Sequence, residues 1–300
     1  MNRRNFMALS VAAALPGHAV SSQASGGRFR KSICDGIIPR SVPLDEAFRQ
    51  IKRAGFDGYE ITMGSKLTLE TPASELKSIA AAAGDAGVTI VTISVSGPFS
   101  KCPLNHPDPA VRAQGVEVIK KSIDIAQALN SGTILLVPSR VGGGAKFMYG
   151  YEDTWKRTSE ELRKALPYAE QAKIILTPEN VWNKFLLSPL EMRAFVDQFN
   201  SPWLQSHFDI GNVMQFGYPQ DWILTLGPRI KRVHLKDFKV QTNRFVPLME
   251  GDVSWKEVME ALVKVDYRGW LSPEYGYDSN DPEQIKKLSA IVDKIYALAG

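Results

Sequence analysis

A chain of 300 residues, 44% hydrophobic and 23% charged, has an ordinary globular composition and the length for one α/β barrel of about 250 residues. The formal charge of +4 includes Arg3 and Arg4, which fall in a segment read below as removable, and no basic run or aromatic–basic interleaving points to a nucleic-acid partner. Cys34 and Cys102 are too few for a disulfide framework: they are two separate thiols, or one pair made in an oxidising compartment.

The first segment, Asn2-Arg3-Arg4-Asn5-Phe6-Met7, resembles a twin-arginine export motif. An apolar stretch from Ala8 to Leu15 follows, then Pro16-Gly17 and a small-residue tail ending Ser22-Gln23-Ala24. This pattern predicts a signal peptide over residues 1–24, cleaved after Ala24 or alternatively Ala19, with the remainder exported to the periplasm or beyond. The competing reading is a disordered start that is never exported. The stretch is too short to span a bilayer and no other segment approaches that length, so no membrane role is expected.

From Lys31 onward strand and helix patterns alternate without a linker. Ser32–Ile38 reads as the first strand and Leu44–Ala54 as a helix; Tyr59–Met63 is the second strand, and a helix runs from Thr71-Pro72 to about Ala86. Val88–Val95 is nearly uninterrupted in β-branched residues, as a strand buried on both faces should be. Asp108-Pro109 opens a helix to Leu129, Thr133–Val137 is the fourth strand, a helix spans Asp153–Gln171, and Lys173–Pro178 is the fifth strand. Ser188-Pro189-Leu190-Glu191, Ser254-Trp255-Lys256-Glu257 and Asp281-Pro282-Glu283-Gln284 are capping-box helix starts. In the last helix Ile285, Leu288, Ile291, Val292, Ile295 and Leu298 form a one-sided apolar stripe for packing on a sheet. Eight such alternations predict a single-domain (β/α)8 TIM barrel over residues 25–300.

Four apolar runs in the second half each end in a metal-competent side chain: Leu176-Thr177-Pro178-Glu179, His207-Phe208-Asp209, Val233-His234-Leu235-Lys236-Asp237 and Leu271-Ser272-Pro273-Glu274. Adjacent parallel strands lie about 5 Å apart, so a barrel brings Glu179, Asp209, His234 and Glu274 to one point at its mouth. Three carboxylates and one imidazole suit one divalent ion, with Mn, Mg, Co and Zn all open. Each residue also has a plainer reading: a buried ion pair for Glu179, an Asx-type turn for Asp209, a core histidine for His207 and a solvated or ion-paired Lys236. Arg140-Val141-Gly142-Gly143-Gly144-Ala145-Lys146 matches neither phosphate-loop fingerprint and is read as a lid segment.

The chain resembles the sugar isomerase/epimerase superfamily of xylose-isomerase-like TIM barrels, which includes tagatose 3-epimerase and the sugar-phosphate 3-epimerases. The resemblance is carried by Ala54-Gly55-Phe56-Asp57-Gly58-Tyr59-Glu60-Ile61, Pro178-Glu179-Asn180-Val181-Trp182-Asn183-Lys184-Phe185, Phe208-Asp209-Ile210-Gly211-Asn212, Val233-His234-Leu235-Lys236-Asp237, Glu250-Gly251-Asp252-Val253-Ser254-Trp255 and Pro273-Glu274. It implies that Glu179, Asp209, His234 and Glu274 hold one metal and that Glu179 and Glu274 exchange protons with substrate. Asn212 stands where tagatose-type epimerases carry a histidine.

With a metal polarising a carbonyl, the two glutamates can move a proton at the neighbouring carbon. Asn183, His207, Asn212, Lys236 and Trp182 are the expected substrate contacts. The expected activity is a metal-dependent isomerase or epimerase of an unphosphorylated sugar or polyol ketone, possible as a homo-oligomer. The alternatives are a 3-keto-glycoside lyase at the same site and a non-catalytic sugar-binding protein. The superfamily's apurinic endonucleases use more histidines than the three left after the leader, His106, His207 and His234.

Overall fold

The computed structural model describes residues 27–64, 66–142, 149–275 and 282–300. The expected export signal therefore lies outside the described residues, as do residues 143–146 of the expected lid segment and Asp281 of the last capping box.

Seven parallel strands follow in chain order: β1 (Arg30–Cys34), β2 (Gly58–Thr62), β3 (Thr89–Ser94), β4 (Thr133–Leu136), β5 (Ile175–Pro178), β6 (Ser206–Asp209) and β7 (Ile230–Leu235). A short antiparallel hairpin comes next, β8 (Asp237–Lys239) and β9 (Arg244–Val246), and then β10 (Trp270–Pro273), the eighth barrel strand. The hydrogen-bonded order is β5-β4-β3-β2-β1-β10-β7-β6. Its two ends meet through the parallel bridges Leu176–Leu204 and Glu179–His207, which bring the sheet round into a (β/α)8 barrel. The helices packed around it are α1 (Leu44–Arg53), α2 (Ala73–Asp85), α3 (Pro109–Ala128), α4 (Tyr151–Ala172), α5 (Pro189–Asp197), α6 (Pro219–Leu226), α7 (Trp255–Lys264) and α8 (Pro282–Ala297). The α8 stripe packs as its spacing requires: Ile285, Leu288, Val292 and Ile295 are buried, and Ile291 and Leu298 partly so.

The barrel is plugged from below by large side chains. A Cβ on Gly58 would lie 2.7 Å from the Trp270 ring and 2.8 Å from Ser32 and Val91, so only glycine fits at that point of β2. Arg232, buried on β7, reaches across to donate to the Val91 carbonyl at 3.1 Å.

Three local expectations are corrected. The first strand ends at Cys34, because Asp35 accepts from the Tyr59 hydroxyl (2.5 Å) and pairs with Lys66 (3.1 Å) as the chain turns. Ser188 caps α5 by accepting from the Glu191 amide, and Glu191 returns to Leu187, completing a box. Ser254 makes no such side-chain cap, because Glu257 instead accepts from Gln220 of α6. The run through Asp237 is not one strand: it breaks after Leu235, and Asp237 anchors the β8–β9 hairpin. That buried carboxylate accepts five donors, the amides of Phe238, Met249, Gly251 and Val253 and the indole of Trp255. Gly251 is obligatory there, since a Cβ would come within 2.0 Å of Asp237 Oδ1.

Candidate active site

The C-terminal ends of β5, β6, β7 and β10 bring Glu179, Asp209, His234 and Glu274 together, with one ligand-type atom from each lying within 4.8 Å of the others. His234 Nδ1 is 3.1 Å from Glu179 Oε1, 3.6 Å from Glu274 Oε2 and 3.8 Å from Asp209 Oδ2. The group opens into a cavity of about 360 Å³ whose walls include Glu179, His234, Lys236, Phe245, Glu274 and Tyr275. Asp209 Oδ1 accepts from the Asn212 amide at 2.7 Å, so the turn reading of this residue is realised. Its other oxygen, Oδ2, faces the cluster, as does Glu274 Oε2, and the two share the Lys236 ammonium. One side chain thus closes the strand with one oxygen and presents the other.

Lys236 is ion-paired: its ammonium lies 3.0 Å from Asp209 Oδ2 and against Glu274 Oε2. Crowding three carboxylates at low solvent exposure sets their acidities. Burial pushes the Asp209 carboxyl up, Lys236 opposes it, and Glu274 and Glu179 add to it, leaving it at about 7. Burial also raises Glu179, with His234 partly offsetting. Burial would raise Glu274 as well, but His234 and Lys236 hold it down at about 2. Three carboxylates and an imidazole nitrogen converging at low solvent exposure fit a divalent cation.

The far side of His234 was not anticipated. Its Nε2 is 3.2 Å from Glu60 Oε2 and 3.5 Å from Cys34 Sγ. Glu60 also accepts from Ser272, which is 2.6 Å from Ser32. With Nε2–H donated to Glu60, the Nδ1 lone pair points at Glu179, Asp209 and Glu274. The signal was present in the sequence, a carboxylate within the apolar run Tyr59-Glu60-Ile61.

The expected substrate contacts divide. Lys236 lines the cavity. Trp182 does not line it: the ring, 42% exposed, stacks 4.9 Å from Phe245 of the hairpin, which does, and its indole donates to the Asn212 carbonyl. Asn212 is buried and donates to the Asn180 carbonyl, and Asn183 donates to the Ser139 carbonyl while accepting from Phe185, so both amides serve the backbone. His207 lies under His234, ring centroids 4.1 Å apart, outside the cavity lining, and neither of its nitrogens has a partner. Burial, followed by His234, Arg232 and Lys236, keeps it neutral by lowering its pKa well below the usual histidine value. Cys34 and Cys102 are free thiols.

L-Ribulose-5-phosphate 3-epimerase UlaE of Salmonella paratyphi A is 27% identical over 248 residues, covering 80% of this chain and 86% of its own length. Among solved structures, a D-psicose 3-epimerase superposes with a TM-score of 0.75 at 20% identity, covering 91% of this chain and all of its own. The 3-keto-D-glucoside 4-epimerase of Escherichia coli superposes with a TM-score of 0.73 at 15% identity, covering 90% and 99%. The sequence family described as xylose isomerase-like TIM barrel matches residues 48–295, nearly the whole barrel, and the chain belongs to it.

Proposed function

We propose that this protein is a divalent-metal-dependent epimerase or isomerase of an unphosphorylated sugar or polyol ketone. One observation carries the reading: two carboxylates, Glu179 and Glu274, enter the same cavity from barrel strands three positions apart and share a cluster of cation-binding donors. Glu179, Asp209, His234 and Glu274 would hold the cation. When bound, it supplies Lewis-acid polarisation of a carbonyl and an adjacent hydroxyl. Glu179 and Glu274 flank the reacting carbon, one removing a proton and the other returning one. Lys236, held by Asp209 and Glu274, adds fixed positive charge beside the oxygen on which charge develops. Phe245, backed by Trp182, gives the substrate an aromatic wall.

UlaE takes a sugar phosphate, by its name, whereas the D-psicose and 3-keto-D-glucoside enzymes are named for unphosphorylated sugars. The absence of a free cation favours the latter here: among the described residues lining the cavity, Lys236 is the one cation, and it is committed to Asp209 and Glu274.

Turnover in D₂O should place deuterium on the carbon next to the carbonyl, read by proton NMR. Glu179→Gln and Glu274→Gln should each lose about 10²-fold or more in rate with little change in metal content. Product without solvent deuterium would remove the two-glutamate mechanism. Deuterium accompanied by a released alcohol would instead identify β-elimination from a 3-keto-glycoside.

A further inference from the structure

The far end of the barrel holds a second cavity, larger than the first at about 620 Å³. It lies where β1, β7 and β10 begin, under the loops that enter β7 and β10, and its walls include Arg30, Lys231, Arg232, Arg268, Tyr267 and Trp270. Four of these are cations. The carboxylate in the lining is Asp266, which already pairs with Arg28 at 2.7 Å and Arg268 at 2.9 Å. Arg30 lies over the Trp270 ring, 5.5 Å from its centroid. Among the described residues, neither Arg30 nor Lys231 nor Arg232 forms an ion pair.

Arg232 is the unusual member. It is 8% exposed, its two terminal nitrogens donate to the Lys231 and Val91 carbonyls at 3.0 and 3.1 Å, and its Nε has no partner. A buried guanidinium balanced only by carbonyls is an expensive arrangement. The buried carboxylate in the barrel above it, Glu60, is committed to His234 and Ser272. The floor of the barrel is therefore a concave site with aromatic sides and an excess of positive charge, four cations against the one Asp266 carboxylate among its described lining residues. Its volume is that of a small-molecule pocket.

We propose that the barrel floor binds a small polyvalent oxyanion, phosphate or a phosphate monoester, at a site separate from the glutamate cavity. Arg30 and Arg268 are exposed in the lining, where their flexible cations can close on phosphate oxygens, and Lys231 is partly buried beside them. Arg232 contributes fixed charge from beneath, and guanidinium groups match the spacing of phosphate oxygens. Tyr267 donates its hydroxyl to the Trp270 carbonyl, so its ring serves as wall and not as ligand. This site is independent of the proposed catalytic reading.

The test is titration calorimetry of the full-length folded protein with inorganic phosphate, ionic strength being held constant with sodium chloride. Saturable binding of one phosphate per chain is expected. Lys231→Met should weaken it about tenfold or more, the loss of one charge-assisted contact, and Lys231→Met with Arg268→Met should weaken it further. Circular dichroism with a thermal melt checks that the variants fold. Lys236→Met, at the opposite end, should change the affinity less than twofold. Absence of saturable binding overturns the proposal. So does loss of binding in Lys236→Met with retention in Lys231→Met, which would put the phosphate among the glutamates.

Discussion

Glu60→Leu is the sharpest probe of how the cluster is held. The carboxylate is 3% exposed and accepts from His234 Nε2 at 3.2 Å and from the Ser272 hydroxyl. Leucine fills similar space and accepts nothing. Ser272 keeps Ser32 at 2.6 Å, so the newly orphaned group is the imidazole N–H, left with only the Cys34 sulfur at 3.5 Å. A buried donor in that state costs about 1–3 kcal/mol of stability. The ring is also released to rotate or to move its proton to Nδ1, where it faces the three carboxylates as donor instead of ligand. Loss of such a partner typically lowers metal affinity about 10–100-fold. Glu60→Gln retains an acceptor oxygen for Nε2–H, and its amide can meet Ser272, so its affinity should stay within about threefold if orientation matters more than charge. Competition for Mn²⁺ against a fluorescent chelator measures both variants, and urea melts in excess EDTA give stability separately. A Leu variant that loses stability yet binds Mn²⁺ as tightly as the parent would refute the reasoning, for His234 would then need no partner to present Nδ1.

Three further outcomes follow from the geometry. His207 is buried with its pKa depressed, so it contributes stability above pH 6.5 that is lost as pH falls and the unfolded chain takes up a proton the folded one refuses; relative to the parent, His207→Asn should gain about 1.4 kcal/mol between pH 7.5 and 5.5 in urea melts with EDTA, and a pH-independent difference would contradict this. Gly251→Ala drives a methyl into Asp237 Oδ1 and should cost about 2 kcal/mol or more in the same melts, with quenching of Trp182 fluorescence by acrylamide rising as the hairpin shifts; a neutral variant would mean the loop yields freely. Replacing Arg3 and Arg4 by lysine should leave an uncleaved, folded protein in the cytoplasm, and intact-mass spectra of the parent from the periplasm that still contain Met1 would contradict processing after Ala24.

The ends of β5, β6, β7 and β10 were readable from the sequence because a charged or imidazole side chain interrupts an apolar run only at a cost, and a barrel aligns such interruptions. The same holds for Glu60 on β2, which interrupts the run Tyr59-Glu60-Ile61, but its partner His234 lies five barrel strands further along the chain and no local pattern joins the two. What sequence cannot convey is which atom of a side chain is already spent. Asn183 and Asn212 look like sugar-binding amides, yet both are consumed by backbone groups. Ser254 and Glu257 have the right spacing for a helix cap, yet Gln220 on the neighbouring helix takes the glutamate. The β8–β9 hairpin exists because Asp237 gathers donors from as far along the chain as Trp255, a long-range arrangement that no local periodicity carries.

The barrel's closure has a mechanical consequence. Between β5 and β6 the ladder is reduced to two bridges, with Leu176 exchanging bonds with Trp203 and Gln205 near the bottom. Higher up, the Asn180 side chain takes the place of a strand, accepting from the Asp209 amide and donating to its carbonyl. The cylinder therefore has a zip, and Glu179 and Asp209 sit on its opposite tapes. Any ligand that grips both draws the tapes together, so occupancy should slow amide hydrogen exchange along 175–180 and 204–209 before it slows exchange elsewhere. Binding at the mouth would then be felt as rigidity down one side of the wall, and an Asn180→Leu chain would depend on its ligand to stay shut.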